Sequence, residues 1–291
     1  MSLADRLVET WVRQGRDGFL LVAGKSAETK LLYDPVCGVQ FRFRWLPHRD
    51  VRGDIAKLEH LGIVDPDRDE ASLFRDPREP VGRHCFLCER NIRECNPKEE
   101  LVPLRLAGRD WLAGANFAWI ARDHFTVMTR THMDQKYSPD VLSAAVHLVR
   151  LTGGRFRVLF NGGGAGATVL WHMHLQATSE RMPVEGLDPR LTAHYPAPLL
   201  RFAITDQAIA NRAAEAWLAQ DPENHSLNLL VCSSGIFLVT RDRRKTKAKE
   251  KGLVGGFEVA GDFAFSMPFE KAIFDRATAG MARRILSEIN P

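Results

Sequence analysis

Three things are scarce in this sequence, and each scarcity removes a class of protein. Long apolar runs are missing. The longest uncharged stretch, Val158 to Ser179, holds a cluster of glycines, an Asn, a Gln and two His, whereas a membrane-spanning helix needs about 20 mostly apolar residues. Cysteine is sparse and odd in number, with five residues at 37, 85, 88, 95 and 232. That excludes a disulfide scaffold and points to a reducing cytoplasm, where a close cysteine pair signals metal or redox chemistry. Excess charge of one sign is missing too. The net charge is +4, and residues 241–251 (RDRRKTKAKEK) alone hold seven basic and two acidic residues. The rest of the chain is close to neutral, so a broad nucleic-acid surface is not expected. The start, MSLADRLVETW, has early acidic residues and no apolar segment, so no secretory leader is expected.

What remains is an ordinary globular composition, 45% hydrophobic and 26% charged over 291 residues. This is enough for one large or two modest domains. Residues 3–13 have helical periodicity, and residues 18–22 (GFLLV) read as a short strand. Val39 to Trp45 alternates, with Val39, Phe41, Phe43 and Trp45 on one face, which predicts a half-buried strand. Residues 47–82 read as irregular, with a short helix near 54–60. Strands are predicted at 101–106, 125–129, 155–160, about 169–177, 199–204, 227–232 and 235–240. Helices are predicted at 140–151, capped by Ser138 and Pro139, at 206–219 and at 270–288. Four prolines make 180–198 a linker. The pattern is α+β, with antiparallel strands and few helices. A faint echo between Phe125–Arg130 (FTVMTR) and Phe237–Arg241 (FLVTR) suggests two related halves.

The strongest local signal is Trp171-His-Met-His-Leu-Gln176. On a strand, His172, His174 and Gln176 share one face. Two imidazoles and a carboxamide in a row are costly to bury without partners, and a polar, solvated strand face is the plain alternative. The segment before it runs from a strand into Asn161-Gly-Gly-Gly-Ala-Gly-Ala167. Glycines let backbone N–H groups approach a phosphate; the alternative is a flexible hairpin turn. Cys85-Phe-Leu-Cys88 has the spacing of a zinc knuckle, or is a pair of core thiols. The basic run at 241–251 is a solvated loop, or a source of cations for a polyphosphate.

The stretch FNGGGAGATVLWHMHLQ resembles the signature of the histidine-triad superfamily. Its His-x-His-x-Gln form is similar to the transferase branch of uridylyltransferases, diadenosine tetraphosphate phosphorylases and GDP-hexose phosphorylases. Residues 116–132 resemble the upstream strand pair of that family, and residues 227–265 more loosely resemble the C-terminal half of the phosphorylases. The resemblance implies two tandem histidine-triad-like halves with antiparallel sheets, the second degenerate. The expected division is 1–185, with an N-terminal extension and zinc knuckle, and 186–291.

It also implies a chemistry. His174 would attack the α-phosphorus of a nucleotide or nucleotide-sugar substrate and form a covalent nucleotidyl-imidazole. Gln176 would bond a non-bridging oxygen, and the amides of Gly162, Gly163, Gly164, Gly166 and Ala167 would hold the phosphate. Asn161 would reach phosphate, and Asn116 ribose or phosphate. Phosphate or a sugar phosphate would accept the nucleotidyl group. His172 would steady the neighbouring ring or bind metal. By the same resemblance, Cys85, Cys88, His132 and His172 would hold a structural zinc, with His84, Cys95 and His124 as rival ligands. The other reading is a zinc-stabilised module that binds nucleotide or RNA without chemistry. A monomer or homodimer is expected.

Overall fold

The computed structural model describes residues 1–21, 27–49, 85 and 87–291. The helix predicted near 54–60 lies outside the described residues, as does His84.

The order begins with α1 (Leu3–Arg16), β1 (Glu28–Asp34) and β2 (Val39–Trp45). A short α2 (Glu89–Cys95) follows, then β3 (Leu101–Leu106), β4 (Arg109–Ala115), β5 (Phe125–Thr129) and α3 (Pro139–Leu151). Next come β6 (Arg157–Asn161), β7 (His174–Thr178), β8 (Leu199–Phe202), α4 (Gln207–Gln220), β9 (His225–Cys232) and β10 (Gly235–Asp242). The chain closes with β11 (Lys247–Ala248), β12 (Gly252–Leu253), α5 (Gly256–Val259), β13 (Asp262–Phe265), α6 (Lys271–Asp275) and α7 (Ala279–Glu288). The fold is α+β.

Eight strands form one antiparallel sheet in the order β3-β4-β5-β7-β6-β9-β10-β8. Alternation sorts its residues. Val127, Val158, Leu175, Leu229, Val231 and Leu238 face one core with α1, α3 and α4. Leu159, Leu230, Phe237 and Val239 face the other, against β2, β13 and α7. The order hides a repeat. β5-α3-β6-β7 is laid out as β5-β7-β6, and β8-α4-β9-β10 as β8-β10-β9. The two arrays meet where β6 pairs antiparallel with β9, Asn161 opposite Asn228.

This repeat corrects the sequence echo. Phe125–Arg130 begins on β5 and Phe237–Arg241 lies on β10, but β10 is the counterpart of β7. The FxVxTR similarity therefore joins non-equivalent strands.

Other expectations shift in detail. Residues 18–21 form no strand; Phe19, Leu20 and Leu21 are buried, and Leu21 N–H bonds Phe117 O at 3.0 Å. The strand expected from 169 starts at His174, because the glycine-rich turn and His172 occupy the residues before it. The C-terminal helix breaks after Asp275 and restarts where the Thr278 side chain caps Met281 N–H. The 180–198 segment carries two 3₁₀ turns, Pro183–Gly186 and Pro189–His194. β1, β4 and β13 were not anticipated. β13 runs parallel to β2, so the N-terminal extension pairs with the C-terminal region. Arg44, buried, joins them through Asp262 at 2.8 Å and reaches Glu180 at 2.6 Å.

Candidate active site and metal cluster

β7 sits mid-sheet between β5 and β6. Met173, Leu175 and Ala177 pack into the helix-side core, which turns His174 and Gln176 to the opposite face. His174 is 6% exposed. Its Nδ1 lies 2.9 Å from His172 O; a carbonyl only accepts, so Nδ1 carries the proton and Nε2 keeps a lone pair. Burial holds the ring down to about 4, so it is neutral near pH 7.

Gln135 fixes the backbone beneath that ring. Its Oε1 accepts from His174 N–H at 2.7 Å, and its Nε2 donates to His174 O at 3.0 Å and to Asn161 O at 2.8 Å. Sequence reasoning missed Gln135, since it reaches the site from an irregular segment with no motif of its own.

Gln176, half-buried, pairs with Thr126 of β5, and Thr126 with Gly114 of β4. Asn116 donates from Nδ2 to Thr126 Oγ1 at 3.3 Å. Glu99 lies over Gly114 on this same face; a Cβ on Gly114 would come within 2.1 Å of its Oε1. Burial pushes the Glu99 carboxyl up to about 8. Nothing in the sequence marked it.

The glycine turn has a packing role that the sequence reading did not include. Gly164 (φ +76°) and Gly166 (φ +90°) are in the left-handed region. A Cβ on Gly164 would meet Arg243 at 2.6 Å, and one on Gly166 would meet Gly255 Cα at 2.3 Å. Gly162 N–H is taken by Leu227 O at 3.0 Å. The small residues thus let the turn dock on the C-terminal region. No acceptor among the described residues takes the N–H groups of Gly163, Gly164, Gly166 or Ala167.

Cys85, Cys88, His132 and His172 converge with ligand atoms all within 4.8 Å of one another. Cys85 Sγ is 3.1 Å from His172 Nδ1, and Cys88 Sγ is 3.3 Å from His132 Nδ1. His172 Nε2 bonds Thr129 O at 2.8 Å, which puts its proton there and leaves Nδ1 for a ligand. Cys88 and His172 hold the Cys85 thiol well down, while Cys88 is held up by its bond to Cys85 and by burial. Two thiols and two imidazoles in this arrangement can hold a metal ion. His124, a rival ligand, is elsewhere: its Nδ1 accepts from Ile120 N–H at 3.1 Å and its ring packs on Phe257. The Cys95 side chain lies outside the described residues. Arg241, which begins the run read as a solvated loop or a source of cations, is fully buried at the end of β10.

A family described only as a domain of unknown function, DUF4922, matches residues 66–179, less than half of the chain. No curated protein matches it. Three crystal structures of yeast Ap4A phosphorylase Apa2 share its fold. The complex with AMP superimposes with a TM-score of 0.64 at 15% identity, covering 99% of this chain and 96% of the other. The unliganded form gives 0.63 at 16% identity, covering both chains completely. The complex with Ap4A gives 0.62 at 14% identity, with 100% and 99% covered. Among the described residues no helix is long and apolar enough to cross a membrane.

Proposed function

We propose that this chain transfers a nucleotidyl group from a dinucleoside polyphosphate or nucleotide sugar to phosphate or a sugar phosphate, through a covalent intermediate on His174. The observation that carries this reading is the tautomer of His174: Nδ1–H is committed to His172 O, and the neutral ring presents Nε2 from a strand clamped by Gln135. In the first step Nε2 attacks the α-phosphorus, and the bond to the leaving phosphate oxygen breaks. In the second, an oxygen of the acceptor attacks the same phosphorus and the P–N bond breaks. Gln176 donates its amide N–H to a non-bridging oxygen, with the turn amides and Asn161 alongside. A carboxamide cannot donate a proton as an imidazolium does, which favours transfer over hydrolysis. Asn116 takes ribose or phosphate.

The fold shared with a phosphorylase crystallised with AMP and with Ap4A supports the substrate class. Arg243, packed on Gly164 at the root of the basic run, suits a polyphosphate. The metal is read as zinc, held by Cys85, Cys88, His132 and His172; when bound it supplies a rigid joint, since all four positions are filled by protein. We read 1–185 as the catalytic half and 186–291 as its degenerate partner, since β10 carries no histidine, and place the enzyme in the cytoplasm, where its thiols stay reduced.

The test is phosphorolysis of a panel of dinucleoside polyphosphates and nucleotide sugars, with intact-mass measurement of the protein. A nucleotidyl adduct on His174 is expected, and His174→Ala should abolish both adduct and turnover while the fold survives. Nucleotide binding with no adduct on any substrate would leave the binding module; wild-type turnover in His174→Ala would remove the mechanism.

A further inference from the structure

Arg241 is buried completely, and burial lowers its guanidinium to about 10 against the pull of Glu258. It is still charged at pH 7, and its Nε has no partner among the described residues. A buried charge without a bonded carboxylate costs several kcal/mol, so its position needs a reason. Its Nη1 donates to Asn228 Oδ1 at 2.7 Å and to Val254 O at 3.1 Å. An arginine can only donate. Asn228 must therefore present its oxygen to Arg241 and its Nδ2 elsewhere. That Nδ2 donates to Asn161 Oδ1 at 2.8 Å and to Ala165 O at 2.7 Å. Asn161 in turn must present Oδ1 to Asn228, which leaves its Nδ2 as a donor. Nothing among the described residues accepts from that Nδ2. The orientation of two amides follows from the one fixed polarity of the guanidinium.

Asn161 is beside the reacting histidine, since Gln135 Nε2 bridges the Asn161 and His174 carbonyls. Gly255 and Gly256 make room for its amide; a Cβ on Gly256 would come within 2.7 Å of Asn161 Oδ1.

We propose that Arg241 and Asn228, both in the C-terminal half, are positioning residues that lock the Asn161 side chain with its N–H groups directed at the substrate phosphate. The inference rests on the nucleotidyl-transfer reading above. It gives the half without a nucleophile a part in the reaction: it supplies the polarity of a donor in the other half. Without the relay the Asn161 amide can turn its oxygen toward the phosphate, where it repels.

The test is a double-mutant cycle on the full chain, read as affinity for AMP, GMP and UMP by calorimetry, with thermal melts as the check on folding. Asn228→Asp keeps size and still accepts from Arg241, but it cannot donate to Asn161 or Ala165. Asn161→Ala and Asn228→Asp should each weaken the preferred mononucleotide by roughly 10- to 100-fold, the range for a hydrogen bond to a charged group. The double variant should be no weaker than Asn161→Ala alone, because Asn228 acts only through Asn161. A folded Asn228→Asp that binds like the wild type, or losses that multiply in the double variant, would overturn the relay. Should Asn228→Asp fail to fold, the wild type decides by side-chain amide NMR. The mononucleotide should shift the Asn161 NH₂ signals and leave those of Asn228 in place; the reverse, or equal shifts, sinks the idea. Failure of the wild type to bind any of the three nucleotides would instead defeat the transfer reading, and the relay with it.

Discussion

Glu99 shows how a single residue can be invisible in a sequence and conspicuous in a fold. Its carboxyl accepts from Asn96 Nδ2 at 3.5 Å and rests over Gly114, where any side chain would displace it. With its pKa raised from 4.5 to about 8, the native state holds a proton that the unfolded chain releases above pH 4.5. The native state thus binds more protons across pH 4.5–8, and stability must fall as pH rises through that window. The contribution is on the order of 2–4 kcal/mol. Melts of the wild type should drop between pH 5 and pH 8 by several degrees more than melts of Glu99→Gln; parallel profiles would show that the carboxyl is ionised and solvated. Cys85, Cys88, His172 and His174 stood out in the sequence because Cys-x-x-Cys and His-x-His-x-Gln are short spacings, whereas His132 entered the cluster only through the family resemblance. Gln135, Glu99 and Asn228 did not: Gln135 and Asn228 gain their roles from partners far along the chain, Glu99 from its seat over Gly114 of β4, and a single Gln, Glu or Asn has no local pattern.

At the level of elements, strands with strong alternation were read to the residue. Val39–Trp45, Leu101–Leu106 and Phe125–Thr129 stand where periodicity put them. β1 escaped because its side chains are mostly exposed, β4 because Ala-Gly-Ala reads as a loop, and β13 because four residues are too few to show a period. The helix at 270–288 was drawn too long, since helical periodicity continues across Arg276–Thr278 although Thr278 starts a new cap. The cluster of Cys85, Cys88, His132 and His172 is itself an element-level joint: it brings the start of α2 to the end of β5 and the entry to β7. Because ligation is coupled to folding, protein purified without added metal should carry about one zinc per chain. Stripping it with a strong chelator should lower the melting temperature by on the order of 5 °C or more. Amide exchange should rise at 87–95, 129–135 and 172–174 and stay unchanged in β9 and β10. A metal content near zero, with melting insensitive to chelator, would leave the tetrad as core thiols and imidazoles.

For the whole molecule, the sheet and the polar contacts cross the division between the halves at every layer. β6 pairs with β9 along residues that are all buried. β2 needs β13, and the buried Arg44 needs Asp262. The glycine turn closes against Ser226, Leu227, Arg243 and Gly255. A chain ending at residue 185 would therefore lose all of these at once. β6 would become an open, apolar sheet edge, which templates aggregation. Arg44 would keep Glu180 but lose its buried partner, at a cost of several kcal/mol for one charge. Since a domain has only about 5–15 kcal/mol to lose, residues 1–185 should not fold alone although they hold the whole His-x-His-x-Gln motif and the Cys85, Cys88, His132 and His172 cluster. Expressed singly they should be insoluble or give no cooperative melt. Expressed together, 1–185 and 186–291 should form a one-to-one complex that melts cooperatively and binds nucleotide, because the covalent link at 185 carries none of the contacts just named. A soluble 1–185 fragment with a cooperative melt and full metal content would show that the first half is an independent unit, and that the second was added to a fold already complete.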